Sequence, residues 1–282
     1  METDQAPTSA ALAITGTTRL MVAMGDPVAQ VRFPEIFNQL CAERGIDAVC
    51  VPMRISAARL ADAMRGFRAQ ENLIGLSVTI PHKGPIAQYL DAMSDHARKV
   101  GVVNAVRREA DGRLVGDIFD GAGFVGGLAG QGIDIAGLEV WQVGAGGAGT
   151  AVAFALLEAG AARVTIHDIA AERAAALAAR LNRFWPGKAT VGTADPERID
   201  LAINVTPMGL RPEDPLSFDP ARLRTSTIIA DVIMKPATTR LLEAAERHGC
   251  RIHRGHHMFD HQVDLYTEFF GLTPSPRVAE TR

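Results

Sequence analysis

Cysteine is scarce. The 282 residues carry three, Cys41, Cys50 and Cys250. Three scattered thiols make neither a disulfide framework nor a zinc cluster, and they fit a reducing compartment. Excess charge is also lacking: 29 Lys and Arg stand against 32 Asp and Glu, a formal −3. That balance excludes the basic surface that nucleic acid requires, so no nucleic-acid partner is expected. No apolar run is long enough to span a bilayer, so no membrane partner is expected either. The N-terminus lacks a basic stretch followed by a sustained apolar core, so no secretory signal and a cytoplasmic location are expected. There is no internal repeat and no low-complexity block. The first residues and the last ten, Thr273–Arg282, read as loose ends. What is present is apolar: 47% hydrophobic residues, ample for one large or two ordinary cores.

The organising stretch runs from Leu138 to Asp168. Leu138–Val143 is a short apolar run that ends at a glycine cluster and reads as a buried parallel strand. Gly144, Gly146 and Gly149 form G-x-G-x-x-G, and the apolar segment Thr150–Leu157 reads as a packed helix. Ala162–His167 reads as a second strand with Asp168 at its end. In a dinucleotide site each part has a task. Gly144 makes the tight turn, Gly146 lets the backbone approach a pyrophosphate at the helix start, and Gly149 lets helix and strand pack closely. An acid after the second strand accepts hydrogen bonds from a ribose diol. The plain alternative is a glycine-rich turn that binds nothing. A carboxylate at 168 repels a 2′-phosphate, and Ile169 and Ala170 supply no cation, so NAD is favoured over NADP.

Elsewhere strands and helices alternate, which implies a mostly parallel sheet. Strands are expected at Arg19–Met24, Ala48–Met53 and Leu73–Ile80, with helices at Pro34–Glu43 and from a Ser56 cap through Ala69. Val102–Arg107 and Arg113–Asp117 read as a hairpin around Asp111-Gly112. A helix starting at Gly121–Leu128 leads across to the nucleotide half. Beyond Asp168 come a helix at Ala171–Leu181, strands at Ala189–Val191, Leu201–Val205 and Thr227–Val232, and a helix at Thr238–His248. A last helix, Met258–Phe270, places Met258, Phe259, Gln262, Leu265, Tyr266 and Phe269 near one face. The fold class is α/β with two domains. Residues 1–120 form an N-terminal substrate domain joined by the C-terminal helix at 256–282, and 121–255 form a Rossmann-type domain.

Several separated motifs resemble the shikimate dehydrogenase family across nearly the whole chain. They are Gly25-Asp26-Pro27-Val28-Ala29, Ser77 to Lys83, Gly101-Val102-Val103-Asn104, Gly116 to Gly121, Gly144 to Ala148, Asn204 to Gly209 and Met258 to Gln262. The resemblance implies reversible hydride transfer between a ring hydroxyl and a nicotinamide. It places the catalytic pair at Lys83 and Asp120. A lysine can shuttle the hydroxyl proton, and an aspartate can orient it. On composition alone these two read rather as a surface lysine and a helix cap, and it is the motif context that reverses this. The resemblance assigns Thr79, Asn104, Gln262 and Ser77 to substrate hydroxyls. It assigns Gly144, Ala145, Gly146, Gly147, Ala148, Gly149, Asp168, Asn204, Thr206, Pro207, Met208, Val232, Gly255 and Met258 to the cofactor.

The departures carry equal weight. Ser77 stands where the family usually has asparagine. Val31 and Phe33 occupy positions where it has two serines that hold a substrate carboxylate, and neither donates a hydrogen bond. Ile118 and Phe119 replace Asn-Thr, and Met234 replaces a tyrosine. Losing a hydrogen bond to a charged group costs about 1.5–3 kcal/mol. The expected substrate is therefore a cyclic hydroxy compound less polar than shikimate, or one whose carboxylate lies elsewhere. Arg32 either supplies a compensating charge or is simply solvated. His257 and His261, four apart with His253 and Asp260 nearby, could hold a metal, but the resemblance implies metal-free chemistry and no metal is expected. Two other readings stay open: a true shikimate or quinate dehydrogenase with an unusual anchor, and an NAD-binding regulatory protein without turnover. The partner is a small cyclic hydroxy acid or alcohol, and the chain is a monomer or a homodimer.

Overall fold

The computed structural model describes residues 14–192 and 198–272. The expected loose ends fall outside the described residues. Two six-stranded sheets make the framework. The first contains β1 (Arg19–Gly25), β2 (Ala48–Arg54), β3 (Leu73–Val78), β4 (Ala92–Met93), β5 (Ala105–Arg108) and β6 (Leu114–Asp117), in the order β2-β1-β3-β5-β6-β4. β1 pairs in parallel with β2 and β3, while β5 and β6 form the expected antiparallel hairpin. The second contains β7 (Glu139–Val143), β8 (Arg163–His167), β9 (Ala189–Val191), β10 (Leu201–Asn204), β11 (Ile228–Asp231) and β12 (Ile252–His253). It is wholly parallel, in the order β12-β11-β10-β7-β8-β9. The order in which strands are added reverses between β7 and β10. In such sheets the crevice for a nucleotide opens there, at the strands' C-terminal ends.

Nine helices are described: α1 (Phe33–Arg44), α2 (Leu60–Ala69), α3 (Asp95–Val100), α4 (Asp120–Gly130), α5 (Gly147–Glu158), α6 (Ala171–Leu181), α7 (Arg240–His248), α8 (His256–Asp260) and α9 (Val263–Phe269). The strands are central because they are apolar on both faces. All four residues of β10 are buried, as a strand covered by helices on both sides requires. A continuous apolar core runs from Val22 and Leu76 in the first sheet, through Phe124 and Leu128 of α4, to Phe154 and Ile203 in the second.

α4 joins the halves, and five of its eleven residues are glycine. They are there for close approach. A Cβ on Gly121 would lie 2.4 Å from the Ala151 carbonyl of α5, and one on Gly123 would lie 2.5 Å from the Met258 carbonyl of α8. α5 and α8 thus grip α4 backbone to backbone.

Three sequence expectations need correction. The last helix is not continuous from 258 to 270: it breaks into α8 and α9 at His261–Gln262. Gln262 N–H turns back to the Phe259 carbonyl at 2.8 Å, and its side chain fills the space beside Gly123. Ser56 makes no side-chain cap, because a short 3₁₀ turn at Ala57–Arg59 precedes α2. The expected helix at Thr150–Leu157 begins three residues earlier, so Gly147 and Gly149 are helical.

Candidate active site

Three loops at the edge of the first sheet are stitched together by main-chain bonds. Val78 N–H donates to the Asn104 carbonyl at 2.7 Å, Asn104 N–H to the Asp117 carbonyl at 3.0 Å, and Val103 N–H to the Lys83 carbonyl at 2.8 Å. Lys83, Asn104 and Asp120, the first residue of α4, are thereby drawn to one point. The Lys83 ammonium donates directly to Asp120 Oδ2. Asn104 Nδ2 donates to the other carboxylate oxygen at 2.7 Å, and Asn104 Oδ1 accepts from Phe119 N–H at 2.9 Å. Lys83 is 9% exposed and Asp120 4%. A buried pair with every oxygen partnered is oriented rather than free to roam.

The second half supplies a turn. Gly144 has φ 112°, in the left-handed region that favours glycine, and a Cβ there would meet the Val205 carbonyl at 2.6 Å. A Cβ on Gly149 would meet the Gly144 carbonyl at 2.3 Å, so that glycine is needed for packing. Around the Cβ position of Gly146 there is nothing within 4 Å, only open space in front of α5. No side chain caps α5. Its first N–H groups therefore face a cradle of the size and polarity that suit a pyrophosphate. Gln142, which reads in sequence as part of an apolar strand, is fully buried and its Nε2 donates to the Gly144 and Gly149 carbonyls at 2.9 Å each. Its signal was a lone amide in an apolar run just before the glycines.

Asp168 is bound into the same turn. Its Oδ2 accepts from Ala145 N–H at 2.7 Å and its Oδ1 from Ala170 N–H at 2.9 Å. Each oxygen keeps a lone pair for a further donor.

All of this opens on one cavity of about 590 Å³. Its lining includes the expected catalytic pair, Lys83 and Asp120, and the expected substrate residues Asn104, Ser77, Thr79, Gln262, Val31 and Phe33. From the cofactor list it includes Gly144, Gly146, Gly147, Ala148, Asp168, Thr206, Pro207, Met208, Val232 and Met258. Ala145, Gly149, Asn204 and Gly255 do not line it. Asn204 is fully buried and braces the following turn: Nδ2 donates to the Met208 carbonyl and to Asp231 Oδ1, and Oδ1 accepts from Thr206. Gly255 is a packing position, since a Cβ would lie 2.5 Å from the Ile233 carbonyl. Arg32 is not in the lining either; it pairs with Glu35 one turn on. Tyr266, Arg173 and Lys235 are in the lining, and motif reasoning had assigned them no role. Phe33 is only 4% exposed and packs on Phe37, Phe259 and Tyr266, so it belongs to the core as much as to the cavity.

Two buried groups nearby are perturbed by desolvation. Asp231, at the end of β11, is raised to about 6 despite hydrogen bonds from Ile233, Thr239 and Asn204. His253 is lowered to about 4 by burial, with His257 and His256 adding to it. His257 and His261, weighed above as a metal pair, are not turned toward each other: His261 Nδ1 lies 3.0 Å from the His257 carbonyl and its ring packs over Gly126 and Gly130. The ligand-type atoms that do converge, within 4.8 Å, belong to His256, His257 and Asp260.

A model of the shikimate dehydrogenase substrate binding domain matches residues 23–106. A shikimate dehydrogenase (NADP(+)) of Symbiobacterium thermophilum is 36% identical over 266 residues, covering 90% of each chain. The chain belongs to the shikimate dehydrogenase family. Members of this family are NAD(P)-dependent oxidoreductases that act on a hydroxyl group. Among solved structures, a ligand-free 5-ketofructose reductase of a Gluconobacter strain is 30% identical, with a TM-score of 0.78 over 92% of this chain and 95% of that one. Quinate dehydrogenase from Corynebacterium glutamicum, in complex with NAD, is 31% identical, with a TM-score of 0.79 over 92% and 95%. The family thus joins the two-sheet fold, the buried Lys83–Asp120 pair and the glycine turn in one frame. No described helix is long and apolar enough to cross a membrane.

Proposed function

We propose that the chain catalyses NAD-dependent hydride transfer at a hydroxyl or carbonyl carbon of a cyclic polyhydroxy compound less polar than shikimate. Residues 1–120 and the chain from 256 onward form the substrate side, and 121–255 the cofactor side. The observation that carries this reading is the Lys83–Asp120 contact, which sits in the same cavity as the glycine turn at the head of α5. A bound nicotinamide would accept or deliver the hydride. The chain's own residues do the rest. Lys83 Nζ gives a proton to the substrate oxygen in reduction and takes it back in oxidation. Asp120 fixes where that nitrogen points, and Asn104 fixes Asp120. Thr79 and Gln262 hold neighbouring hydroxyls, and the cavity keeps water from the reacting carbon.

Asp168 supports NAD. Its carboxylate lines the cavity beside fully exposed Ile169 and next to Ala170, so a 2′-phosphate would meet a negative charge and no adjacent cation. Arg173, further along in α6, is the cation that lines this end. The substrate reading is supported by the side chains of Val31, Phe33 and Met234 in the lining, none of which donates a hydrogen bond. It sits comfortably beside a relative whose name specifies 5-ketofructose. A second reading, in which a ring carboxylate is kept, is favoured by Lys235 in the lining. A matched pair separates them: shikimate, and the shikimate ring with its carboxylate reduced to a hydroxymethyl group. Following reduced-nicotinamide absorbance with NAD and NADP, the neutral compound should give the higher kcat/KM, with NAD, and Lys83→Met should abolish it. Efficient turnover of shikimate itself would favour the second reading. Tight NAD binding without turnover of either would favour a regulatory protein.

A further inference from the structure

Tyr266 is one of two tyrosines in the chain. It lies in α9, 5% exposed, in the cavity lining. Its ring is held on several sides. Phe33 meets it edge-on at 4.9 Å and Phe119 at 5.3 Å, and Phe270 stacks parallel to it at 5.9 Å. Its N–H donates to the Gln262 carbonyl at 2.9 Å, which ties it to a residue already placed at the substrate. A ring gripped in this way cannot swing aside, so its hydroxyl has a fixed position. Ser77 and Asp120 both stand close enough to that hydroxyl to act on its charge. Burial and Asp120 together hold the phenol well above the ordinary tyrosine range. It is therefore a neutral donor and acceptor at every working pH.

A neutral, fixed hydroxyl beside a carboxylate selects among ligands. A substrate carboxylate lodged there would be stripped of water against an aromatic wall, beside an Asp120 that already engages the Lys83 ammonium. Two of the three cations in the lining have other places. Lys83 is held by Asp120 and Arg173 belongs to the Asp168 end, while Lys235, which lines the cavity beside Met234, is the cation on which the second reading rests. An uncharged oxygen meets no such penalty and can pair with the phenol.

We propose that Tyr266 is a specificity-determining residue of this site: with Ser77, its hydroxyl binds an uncharged hydroxyl or carbonyl oxygen of the substrate and turns away a carboxylate. The substrate class is thereby narrowed to neutral cyclic polyols and their ketones. This rests on the hydride-transfer reading above.

The test uses the full-length protein with NAD, and as probes shikimate and its hydroxymethyl counterpart. Tyr266→Phe keeps the aromatic packing and removes only the hydroxyl. It should leave the melting temperature and NAD affinity unchanged, raise KM for the neutral probe about tenfold, and change kcat less than about threefold, the size of one lost hydrogen bond. Tyr266→Ser opens space and keeps a hydroxyl; it should raise the preference for shikimate over the neutral probe by at least about tenfold. An unchanged KM in Tyr266→Phe, or wild-type preference for shikimate, overturns the assignment while leaving hydride transfer standing. A wild type that binds NAD and turns over neither probe overturns both.

Discussion

Gly147, the first residue of α5, lies against the side chain of Lys83: a Cβ on the glycine would sit 2.9 Å from the Lys83 Cβ. The contact spans the two halves, since Lys83 follows β3 and Gly147 opens the nucleotide-side helix. A Gly147→Ala change should push the Lys83 segment and the head of α5 apart by a few tenths of an ångström, because the nearest atom is a Cβ held by its own backbone. The fold should survive. kcat should fall about 10- to 100-fold, as expected when a proton donor is moved by a fraction of an ångström to one ångström. Steady-state kinetics beside a thermal melt will tell; equal loss of melting temperature and activity would contradict it.

The glycines of the turn should separate by role. Gly149→Ala puts a methyl 2.3 Å from a carbonyl oxygen and should destabilise the protein by a few kcal/mol. Gly146→Ala meets nothing within 4 Å and should leave stability alone. It should instead weaken NAD binding at least about tenfold, because the methyl points into the pyrophosphate cradle. Calorimetry on both variants checks the contrast.

On the proposed reading, cofactor choice rests on Asp168. The double change Asp168→Asn with Ile169→Arg removes the carboxylate and adds a cation beside it. The ratio of kcat/KM for NAD to that for NADP should fall by at least about 100-fold, the combined effect of losing a ribose acceptor and gaining a phosphate partner. A ratio that stays constant would move the discrimination to Arg173.

Val31 and Phe33 should respond differently although both line the cavity. Val31→Ser should be tolerated and should improve use of a carboxylated substrate if the serine finds it. Phe33→Ser empties a site packed by Phe37, Phe259 and Tyr266. It should cost about 3–5 kcal/mol, measurable by urea denaturation.

Stability should depend on pH through two buried groups of opposite sign. His253 has a folded value near 4, below the ordinary 6.5, so its contribution is present above pH 6.5 and lost as pH falls toward 4. Asp231 has a folded value near 6, above the ordinary 3.8, so its contribution is full below about pH 4 and lost as pH rises through 6. His253→Leu should remove the acid loss, on the order of 3 kcal/mol, and leave a protein whose stability falls from pH 4 to 6. Asp231→Asn should do the reverse. Denaturation midpoints at about pH 4.5, inside both windows, and at about pH 7.5, above both, read the two signs.

Sequence reasoning reached the elements whose cause is local. Gly144, Gly146 and Gly149 announce the turn because their spacing is the geometry of a strand passing into a helix. Lys83 and Asp120 were legible only through surrounding motifs; nothing local tells a lysine after a strand that an aspartate 37 residues on will face it. The rest depends on packing. Asn204 and Gly255 look like site residues and instead brace it from behind, because burial is a property of the assembled sheet. Tyr266 looks like one more ring on a helix face. Its position at the cavity follows from the break at His261–Gln262, which helical periodicity had smoothed over.

The glycines of α4 leave that segment with almost no tendency of its own to be helical, since each costs about 1 kcal/mol relative to alanine. It is helical because α5 and α8 clasp it. Asp120 stands at the head of this segment, so the carboxylate that faces Lys83 has a settled place only once both lobes have closed on the chain between them. Either lobe produced alone should therefore be missing its chemistry as well as its neighbour.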